Sequence, residues 1–599
     1  MGDLPARLTP PARPSEVATE SAAPRTAADL ALDRFFERDY RRRPVQATFT
    51  GIHIQDTRLP DWSPSGLEGA TADMCSTRRA LDAVGRVDDN RVRRFPNDVD
   101  LALADGFLEI QIAEHESGYF LHQNPALWTG EAIFGVIALV TRDFAPLDQR
   151  LESAAARMRA IPAFLDDARR VLRDSPHDWR SRGLRECSAA VRLFGTGLPN
   201  WWSNLHRTHA IGRALFDDLQ SSARAAGQAF DAFARWLESD LLDGGFGRTN
   251  AGADLFGLLL RRGHWCATPI DTLLAEARDA LQAESAELER RARALTSGGW
   301  PAVQEQLAAD HPAADDYLSA LTRSWHACRE MAIARDLVTW PDAPIRYVPI
   351  PDHTRGVASH LYYLFYRSPA PLDRLPVHDY GVMPVDVPSI VREQRTVQEA
   401  TAEQQRRLRA WNNSAIVLNH VIHHGGLGHH VQNHYATRSA SRIGQVAAVD
   451  GASRIGMFAA GTLAEGWACY ACDLAEENGF LAPLTASAQQ HTRVRLLARA
   501  IADLELHSGR RTLAETAAFY REHAHMTTDA ATAEAVKNSM FPGAAVMYWL
   551  GTRDLHALRR ACQVRAGEAF SLRAFHDRVL SYGAIPVPLI ARLMTVEPA

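Results

Sequence analysis

The sequence predicts a mainly α-helical protein with one small β-sheet, and three observations support this fold class. Long stretches with few glycines and prolines carry apolar residues at the three- and four-residue spacing of one helix face. Short turns such as Ser297–Gly299 separate these stretches. Strand patterns occur at only two places. No repeat or linker divides the chain, so we expect one body with two lobes around a deep cleft.

The N-terminal residues 1–27 differ in composition from the rest of the chain. They are rich in Pro, Ala, Ser and Thr, which predicts a disordered lead-in. They also lack the apolar core of a secretory signal, and this predicts a cytoplasmic location. Residues 28–599 are predicted to form a single domain.

Regular elements follow along the rest of the chain. The clearest helix is Arg150–Arg173, where residues such as Leu151 and Ala154 begin an apolar stripe along one face. The same spacing predicts helices at Ala28–Tyr40, Asp98–Gly118, Phe230–Leu242, Pro269–Leu295, Asp315–Asp336, Met457–Glu477, Thr485–Leu506 and Leu513–His525. Strands are predicted at Ile345–Ile350 and Leu361–Phe365, on either side of a loop rich in Pro, Asp and Gly.

The overall composition excludes several functional classes. The 599 residues include 66 Lys and Arg against 71 Asp and Glu, and the net charge of −5 argues against a nucleic-acid-binding protein. No run approaches the ~20 apolar residues of a membrane-spanning helix. Seven cysteines, an odd number, do not form a disulfide framework. We therefore expect a small-molecule or short-peptide partner, no nucleic acid and no membrane, and the oligomeric state stays open.

Histidines are concentrated in one short segment. Six of the 24 histidines lie within 15 residues, where the average over the chain predicts fewer than one. They are His420, His423, His424, His429, His430 and His434. A catalytic zinc site has three protein ligands, often histidines, and keeps a fourth position open. The segment therefore predicts a metal site.

Two arrangements of this segment agree with its sequence. Three glycines within residues 425–428 interrupt the helical pattern, and such a break lets His423 meet His429 or His430 across a bulge. In an unbroken helix, His423, His430 and His434 share one face, because seven residues make nearly two turns. The spacing alone does not choose between them.

A third ligand is predicted on a later helix, where Glu465 is the best candidate. Cys469 and Cys472 follow it by four and seven residues and so lie on the same helix face. A lone Cys-x-x-Cys is a weak signal. Packing is the preferred interpretation of this pair, with a soft metal ligand or a reactive thiol as the alternative.

These motifs resemble those of a known family. His423–Gln432 and Glu465–Cys472 are similar to the signature His-Glu-x-x-Pro-Gly-His-His-x-Gln, then Glu-Gly-Trp-Ala-Leu-Tyr-Ala-Glu, of the bacterial domain-of-unknown-function family numbered 885. Family-like blocks such as Phe35–Asp61, Arg150–Leu172 and Arg499–His507 extend the resemblance over nearly the whole chain. The resemblance implies a large helical, zincin-like and metallopeptidase-like fold.

The resemblance also implies roles for individual residues. The implied metal ligands are His423, one of His429 and His430, and Glu465. Tyr548, His576 and His507 lie in family-like blocks, and each is a candidate hydrogen-bond donor to a developing oxyanion. We count Tyr548 and His576 among the catalytic candidates.

The chain departs from the family pattern at positions expected to face the site. His424 stands where the family has the Glu expected to act as general base. The other departures are Leu427 for Pro, Cys472 for Glu, Lys537-Asn538 for Arg-Tyr, and Ala544 for Gln. Because the implied ligands remain, we interpret the site as repurposed. A dead site and an ordinary hydrolase with a substitute base are the alternatives.

The expected roles of the individual histidines follow from imidazole chemistry and from their positions in the segment. His424 is expected to act as general base or as an extra ligand, because a neutral imidazole can accept a proton at pH 7 or bind a metal. The member of the His429 and His430 pair that does not bind metal is expected to orient a neighbour. His420 and His434 are expected to lie on a helix surface.

These observations predict a metal-dependent enzyme. Zinc is the first candidate metal, with iron, manganese and copper as alternatives. The expected substrate is a small amide, peptide or amino-acid-derived compound, and the expected reaction is a hydrolase-like, lyase or redox step in specialised metabolite biosynthesis. The alternative is a catalytically inactive homologue that acts as a binding protein. A weaker third hypothesis is a thiol-based catalyst that uses Cys472.

Overall fold

The computed structural model describes residues 25–85, 92, 94–239, 241, 247–358, 370–373, 377–393, 395–447 and 461–596. These residues form a mainly helical protein with one two-stranded sheet, which confirms the predicted fold class at this level. Most of the expected disordered lead-in lies outside the described residues. The first helix begins at Ala27, where the Thr26 side chain and Asp29 form a reciprocal capping box.

All the regular elements described in the first half of the chain are helices. Its α-helices are Ala27–Arg42, Pro44–Thr50, Pro64–Gly85, Asn97–Ser117, Pro125–Thr141, Leu147–Val171, His177–Arg192, Leu198–Arg207, Arg213–Ser239, Ala253–Leu258, Ile270–Leu295 and Gly299–Ala309. Two short π-helical segments, Leu193–Gly197 and Leu259–Gly263, continue helices of this half.

The second half carries the sheet and the predicted site. Its α-helices are Tyr317–Ala334, Asp352–Ala358, Val387–Val391, Val397–Ala410, Asn413–Ala415, His429–Ala436, Arg442–Val446, Gly461–Glu477, Pro483–His507, Leu513–His523, Thr528–Met540, Val546–Ala566, Leu572–Ser581 and Val587–Val596. A π-helical segment spans Ile416–Gly425, and a 3-10 turn spans Gly567–Ala569.

Each of the nine predicted helices coincides with an observed helix over most of its length. The helix Pro125–Thr141 was not predicted, because protein covers nearly all of its sides and it has no polar face to create a periodic pattern. The helix Val397–Ala410 does not continue into the histidine-rich residues. The helix ends at Ala410, and the Asn412 side chain caps a new start by accepting a hydrogen bond from the Ala415 amide.

The sheet pairs β1 (Ile345–Pro349) in parallel with β2 (His378–Val382). β1 matches a predicted strand, whereas the other predicted strand, Leu361–Phe365, lies outside the described residues. The sequence pattern did not indicate β2, which contains only five residues and includes a glycine. Tyr347 of β1 is paired with Tyr380 of β2, and both side chains are buried next to the histidine-rich segment.

Two glycines bring the helices Gly461–Glu477 and Val546–Ala566 unusually close together. A Cβ atom on Gly551 would lie 1.8 Å from the Thr462 carbonyl oxygen, and a Cβ on Gly466 would lie 2.5 Å from the Gly551 backbone. Only glycine permits this approach. The crossing places Glu465, one residue before Gly466, at a fixed position against the rest of the core.

The described residues contain a cavity of about 360 Å³ between the helices Ala27–Arg42, Pro64–Gly85 and Pro125–Thr141. None of the predicted site residues lines it. The cavity is therefore not the deep cleft that we expected around the site, and that cleft stays a prediction.

Candidate metal centre

Glycines shape the histidine segment, which we define as Ile416–Ala436. Its first part is the π-helical segment, a rare conformation that is frequent at functional sites. The chain then turns before the helix His429–Ala436 begins. A Cβ atom on Gly428 would lie 2.1 Å from the His423 carbonyl oxygen, so this turn requires glycine. The broken arrangement is therefore the one observed.

Three histidines of the segment converge. His423, His424 and His429 each offer one ring nitrogen, and these three atoms lie within 4.8 Å of one another. The ring centroids are 4.7 Å apart for His423 and His424, 4.9 Å for His423 and His429, and 5.2 Å for His424 and His429. All three side chains are half-buried.

Glu465 completes the cluster from the helix Gly461–Glu477. Its Oε2 atom lies 3.3 Å from Nε2 of His423 and 3.4 Å from Nε2 of His429. This oxygen is shielded from solvent, and neither approach has hydrogen-bond geometry. Burial acts to raise the pKa of the Glu465 carboxyl, but the two neighbouring histidines outweigh it and hold the pKa well below its usual range. These four side chains could hold a metal ion, and we use the name metal centre for this candidate site.

Aromatic side chains hold the backbone around the metal centre. Trp467 donates its indole N–H to the Leu427 carbonyl at 2.9 Å, and Trp325 donates to the Gly425 carbonyl at 2.7 Å. The Tyr347 hydroxyl donates to the His420 carbonyl at 3.0 Å. These bonds tie backbone carbonyl groups of the histidine segment to side chains from three other parts of the chain.

His430 lies outside the cluster. It is buried, and its Nε2–H donates to the Ala343 carbonyl at 2.8 Å. Burial lowers the pKa of His430 to about 4, so the ring is neutral at pH 7. Of the two adjacent histidines left open by the sequence, the structure brings His429 to Glu465 and uses His430 to attach its helix to a neighbouring loop.

The prediction that His420 lies on the surface is wrong. The side chain is buried, and its Nδ1 forms a 3.0 Å hydrogen bond with the Tyr380 hydroxyl. The unpredicted strand β2 supplies this tyrosine, which explains why the pattern of the segment alone was misleading. His434 is half-buried, and burial lowers its pKa to about 4.

His576 is not part of the metal centre, contrary to its prediction as a catalytic residue. It is fully buried, its Nδ1–H donates to the Leu337 carbonyl at 2.6 Å, and its Nε2 accepts from the Tyr470 hydroxyl at 2.9 Å. Both ring nitrogens are used, and burial lowers the pKa to about 4. His507 is also fully buried and donates Nε2–H to the Asn538 carbonyl at 3.0 Å.

The two cysteines of the motif have the environment of packing residues. Cys469 and Cys472 are buried, and burial raises the pKa of each thiol. A thiol with a raised pKa holds little of the reactive thiolate. All seven cysteines of the chain lie in described parts and are free, in agreement with the expected lack of a disulfide framework.

Three charged residues that lie next to one another were not predicted as site residues: Arg495, Arg499 and Glu534. Of these, Arg499 is near enough to be influenced by the charge of Glu465. Arg499 Nε lies 2.8 Å from Glu534 Oε1, and its guanidinium lies 4.6 Å from the centre of the Tyr548 ring. Tyr548, a predicted catalytic residue, is therefore beside this group. One signal in the sequence could have indicated Arg499, because it interrupts the apolar run 496–502.

Comparison with known proteins gives the chain a family. Residues 44–594 match the family described as "Bacterial protein of unknown function (DUF885)". The chain belongs to this family. None of the curated proteins matches it. Membership in DUF885 confirms the family resemblance found in the motifs, while the zincin-like character stays a proposal.

Two solved bacterial structures share the fold of this DUF885 protein. One is "a putative lipoprotein of unknown function" from Shewanella oneidensis, 20% identical, with a TM-score of 0.72 over 95% of this chain and 100% of that chain. The other is "the putative lipoprotein from Colwellia psychrerythraea", 15% identical, with a TM-score of 0.69 over 95% of this chain and 99% of that chain. At these identities the likeness shows the fold alone.

These comparisons correct one expectation. We expected a cytoplasmic protein because residues 1–27 lack a secretory core, but both neighbours bear the name lipoprotein, which describes membrane-anchored or secreted proteins. The expectation of a cytoplasmic location is therefore wrong. Within the described helices, none has the length and apolar character needed to cross a membrane.

Proposed function

We propose that this DUF885 protein is a metal-dependent enzyme whose ion is held by His423, His429 and Glu465. The observation that carries the proposal is the position of one buried carboxylate oxygen, 3.3 and 3.4 Å from two imidazole nitrogens without hydrogen-bond geometry. A carboxylate oxygen left in this state is costly unless a cation binds it.

The spacing of these atoms fits zinc. Zinc–nitrogen and zinc–oxygen bonds of about 2.0–2.2 Å at a tetrahedral angle separate neighbouring ligand atoms by roughly 3.3–3.5 Å. The two separations at Glu465 agree with that geometry. Two histidines and one carboxylate also form a ligand set that leaves the fourth position open. Iron, manganese and copper accept the same donor types and stay as alternatives.

His424 is the candidate for proton transfer. It lies beside both proposed histidine ligands and is half-buried, so it is available to a substrate at the centre. A neutral imidazole accepts a proton near pH 7, which is the task of a general base. Zinc, when bound, supplies Lewis-acid polarisation of a carbonyl and activation of water. A small amide, peptide or amino-acid-derived substrate fits this combination, on a zincin-like scaffold adapted to a specialised reaction.

Metal content tests the ligand assignment directly. We expect the purified full-length protein to carry about one zinc ion per chain by elemental analysis. Variants His423→Ala, His429→Ala and Glu465→Gln should lose most of it. The matched control is His434→Ala, a half-buried histidine of the same segment outside the cluster. Full retention of metal in the His429→Ala and Glu465→Gln variants would contradict the proposal.

Turnover separates the enzyme from a binding protein. The zinc-loaded protein should release amine from a panel of N-acyl amino acids and dipeptides, and His424→Ala should lower kcat by about 100-fold or more. Bound zinc without turnover of any member of the panel would instead support the inactive homologue. Creation of peptidase activity by His424→Glu would support a repurposed peptidase site.

A further inference from the structure

Two helices present charged side chains next to the metal centre. Arg495 and Arg499 lie four residues apart on Pro483–His507, and Glu534 and Lys537 lie three residues apart on Thr528–Met540. Each spacing puts its pair on one helix face. The 2.8 Å contact between Arg499 Nε and Glu534 Oε1 shows that these faces meet. We call Arg495, Arg499 and Lys537 the cationic wall.

The cationic wall is close to Glu465. The charge of Glu465 influences both Arg499 and Lys537. Cys469, one turn after Glu465 on the same helix, lies within reach of the charges of Glu465 and Arg499. The wall and the metal centre therefore border the same region of the protein.

The charges of the cationic wall do not balance. Three cations face a single carboxylate, Glu534, whose pKa Arg499 and its neighbours lower to about 2 in spite of burial. Glu465 lies against His423 and His429 and belongs to the metal centre rather than to the wall. Arg499 is engaged by Glu534, whereas Arg495 has no carboxylate partner among the described residues, and a cation in this position favours the binding of an anion.

Arg495 has the strongest need for an anion. Across the described chain, it makes no hydrogen bond and no ion pair. Its side chain is exposed to solvent, yet burial lowers its pKa. Both observations agree if protein surrounds the side chain while water still reaches it, as in a deep recess. Arg499, by contrast, is engaged by Glu534 and the Tyr548 ring.

We propose that Arg495, supported by Lys537, binds a carboxylate of the substrate while the reacting carbonyl lies at the metal centre. The planar guanidinium fork matches a carboxylate in a bidentate pair, which explains an arginine at this place. The substrate class is then an amide that carries a free carboxylate, such as an N-acyl amino acid or the C-terminal end of a short peptide. This inference rests on the proposed function and names its substrate class.

Metal-binding probes with and without a carboxylate test this inference. The zinc-loaded full-length protein is titrated calorimetrically with acetohydroxamic acid, with succinic, glutaric and adipic monohydroxamic acids, and with the methyl esters of the last three. The hydroxamate binds the metal in every probe, and the chain length scans the distance to the wall. We expect at least one free acid to bind about tenfold or more tightly than its ester.

Two variants locate the effect at Arg495. Arg495→Gln should remove the advantage of the free acid and leave the affinity for acetohydroxamic acid unchanged. Arg495→Lys keeps the charge without the fork and should retain part of the advantage, which also provides a test if the glutamine variant folds poorly. The control Arg521→Gln removes the same charge from an exposed position on another helix and should change neither affinity.

The outcomes separate this inference from the proposed function. Binding of acetohydroxamic acid with equal affinities for every acid and its ester would overturn the carboxylate subsite and leave the metal centre intact. An acid preference that persists fully in Arg495→Gln would also overturn it. Failure of every hydroxamate to bind the zinc-loaded protein would reject the metal centre, and the subsite would fall with it.

Discussion

The metal centre and the buried histidine contacts beside it use the same side chain in opposite ways. His429 has its Nε2 3.4 Å from the Glu465 carboxylate, whereas the next residue, His430, donates its Nε2–H to the Ala343 carbonyl. The two ring nitrogens of His576 likewise form hydrogen bonds with a backbone carbonyl and a tyrosine hydroxyl. A histidine whose nitrogens are used by such neutral partners stabilises the fold. One that shares a carboxylate oxygen with another histidine can bind a cation.

Two arginines show the same contrast. Arg157 is fully buried, and its guanidinium donates to the carbonyls of Arg58, Gly135 and Pro44 and to the Thr48 hydroxyl, so its hydrogen bonds are satisfied inside the protein. Arg495 makes no such bond within the described residues. The difference separates a charge that serves the fold from one available to a ligand.

The largest expected effect is the difference in zinc affinity between the variants His429→Ala and His430→Ala. We expect His429→Ala to weaken zinc binding at least about 100-fold, because changes of residues that only support a ligand already cost about 10–100-fold. His430→Ala should keep zinc affinity within about threefold. Competition with a fluorescent chelator measures both constants. Equal losses in the two variants would remove the distinction between neighbouring histidines.

His576 should behave as a fold residue. We expect His576→Phe to lower the free energy of unfolding by about 2 kcal/mol, because the Leu337 carbonyl and the Tyr470 hydroxyl lose their partner in a buried place. Zinc affinity should stay within about threefold. Urea unfolding of the zinc-free protein and chelator competition provide the two measurements. A large loss of zinc with unchanged stability would return His576 to the metal centre.

The close helix crossing should link stability and metal binding. We expect Gly551→Ala to cost about 1–3 kcal/mol of unfolding free energy, because the added Cβ would lie 1.8 Å from the Thr462 carbonyl oxygen. The shift of the helix Gly461–Glu477 should also weaken zinc binding through Glu465. The control is Gly479→Ala, just after the end of that helix, where no atom lies within 4 Å of the added Cβ. It tests whether any glycine change near this helix weakens zinc binding.

The buried histidines should make stability depend on pH. Burial holds the pKa values of His430 and His576 at about 4, below the 6.5 of the unfolded chain, so acid protonates the unfolded state first. The free energy of unfolding of zinc-free protein should therefore fall as the pH decreases from 7 toward 4. Each histidine contributes about 1 kcal/mol of this fall between pH 7 and 5.5.

The variant His576→Phe isolates the contribution of one buried histidine. The pH-dependent loss should be smaller by about 1 kcal/mol in His576→Phe than in the unchanged protein, measured by urea unfolding at the two pH values. An identical loss in both proteins would show that the ring is not held neutral in the folded state.

The smallest effect is expected at Cys472. The thiol is buried, has a raised pKa and donates to the Leu418 carbonyl oxygen at 3.7 Å. Cys472→Ser should change zinc affinity less than twofold and unfolding free energy by less than about 1 kcal/mol. Abolished turnover with intact zinc binding would instead favour the thiol-based hypothesis.

Local sequence information was sufficient for nine of the described helices, most of them long. Helix Leu147–Val171 buries one stripe, and that stripe is visible as apolar spacing. The local sequence pattern was insufficient for the helix Pro125–Thr141, which is covered on nearly every side. It was also insufficient for β2, a short strand that depends on its neighbour β1. These elements exist because of contacts with distant parts of the chain, and no periodic pattern records such contacts.

The sequence by itself determined the helical class, the family and the residues that could form a metal centre, including His423, His424 and Glu465. These conclusions depend on composition, helical period and motif, which are local properties of a chain. Only the tertiary structure brought His429 rather than His430 to Glu465, buried His576 away from these residues and placed Arg495 beside Arg499 and Glu534. The physical reason is that a side chain's role depends on the partners its polar atoms meet, and those partners come from helices and strands far away in the sequence.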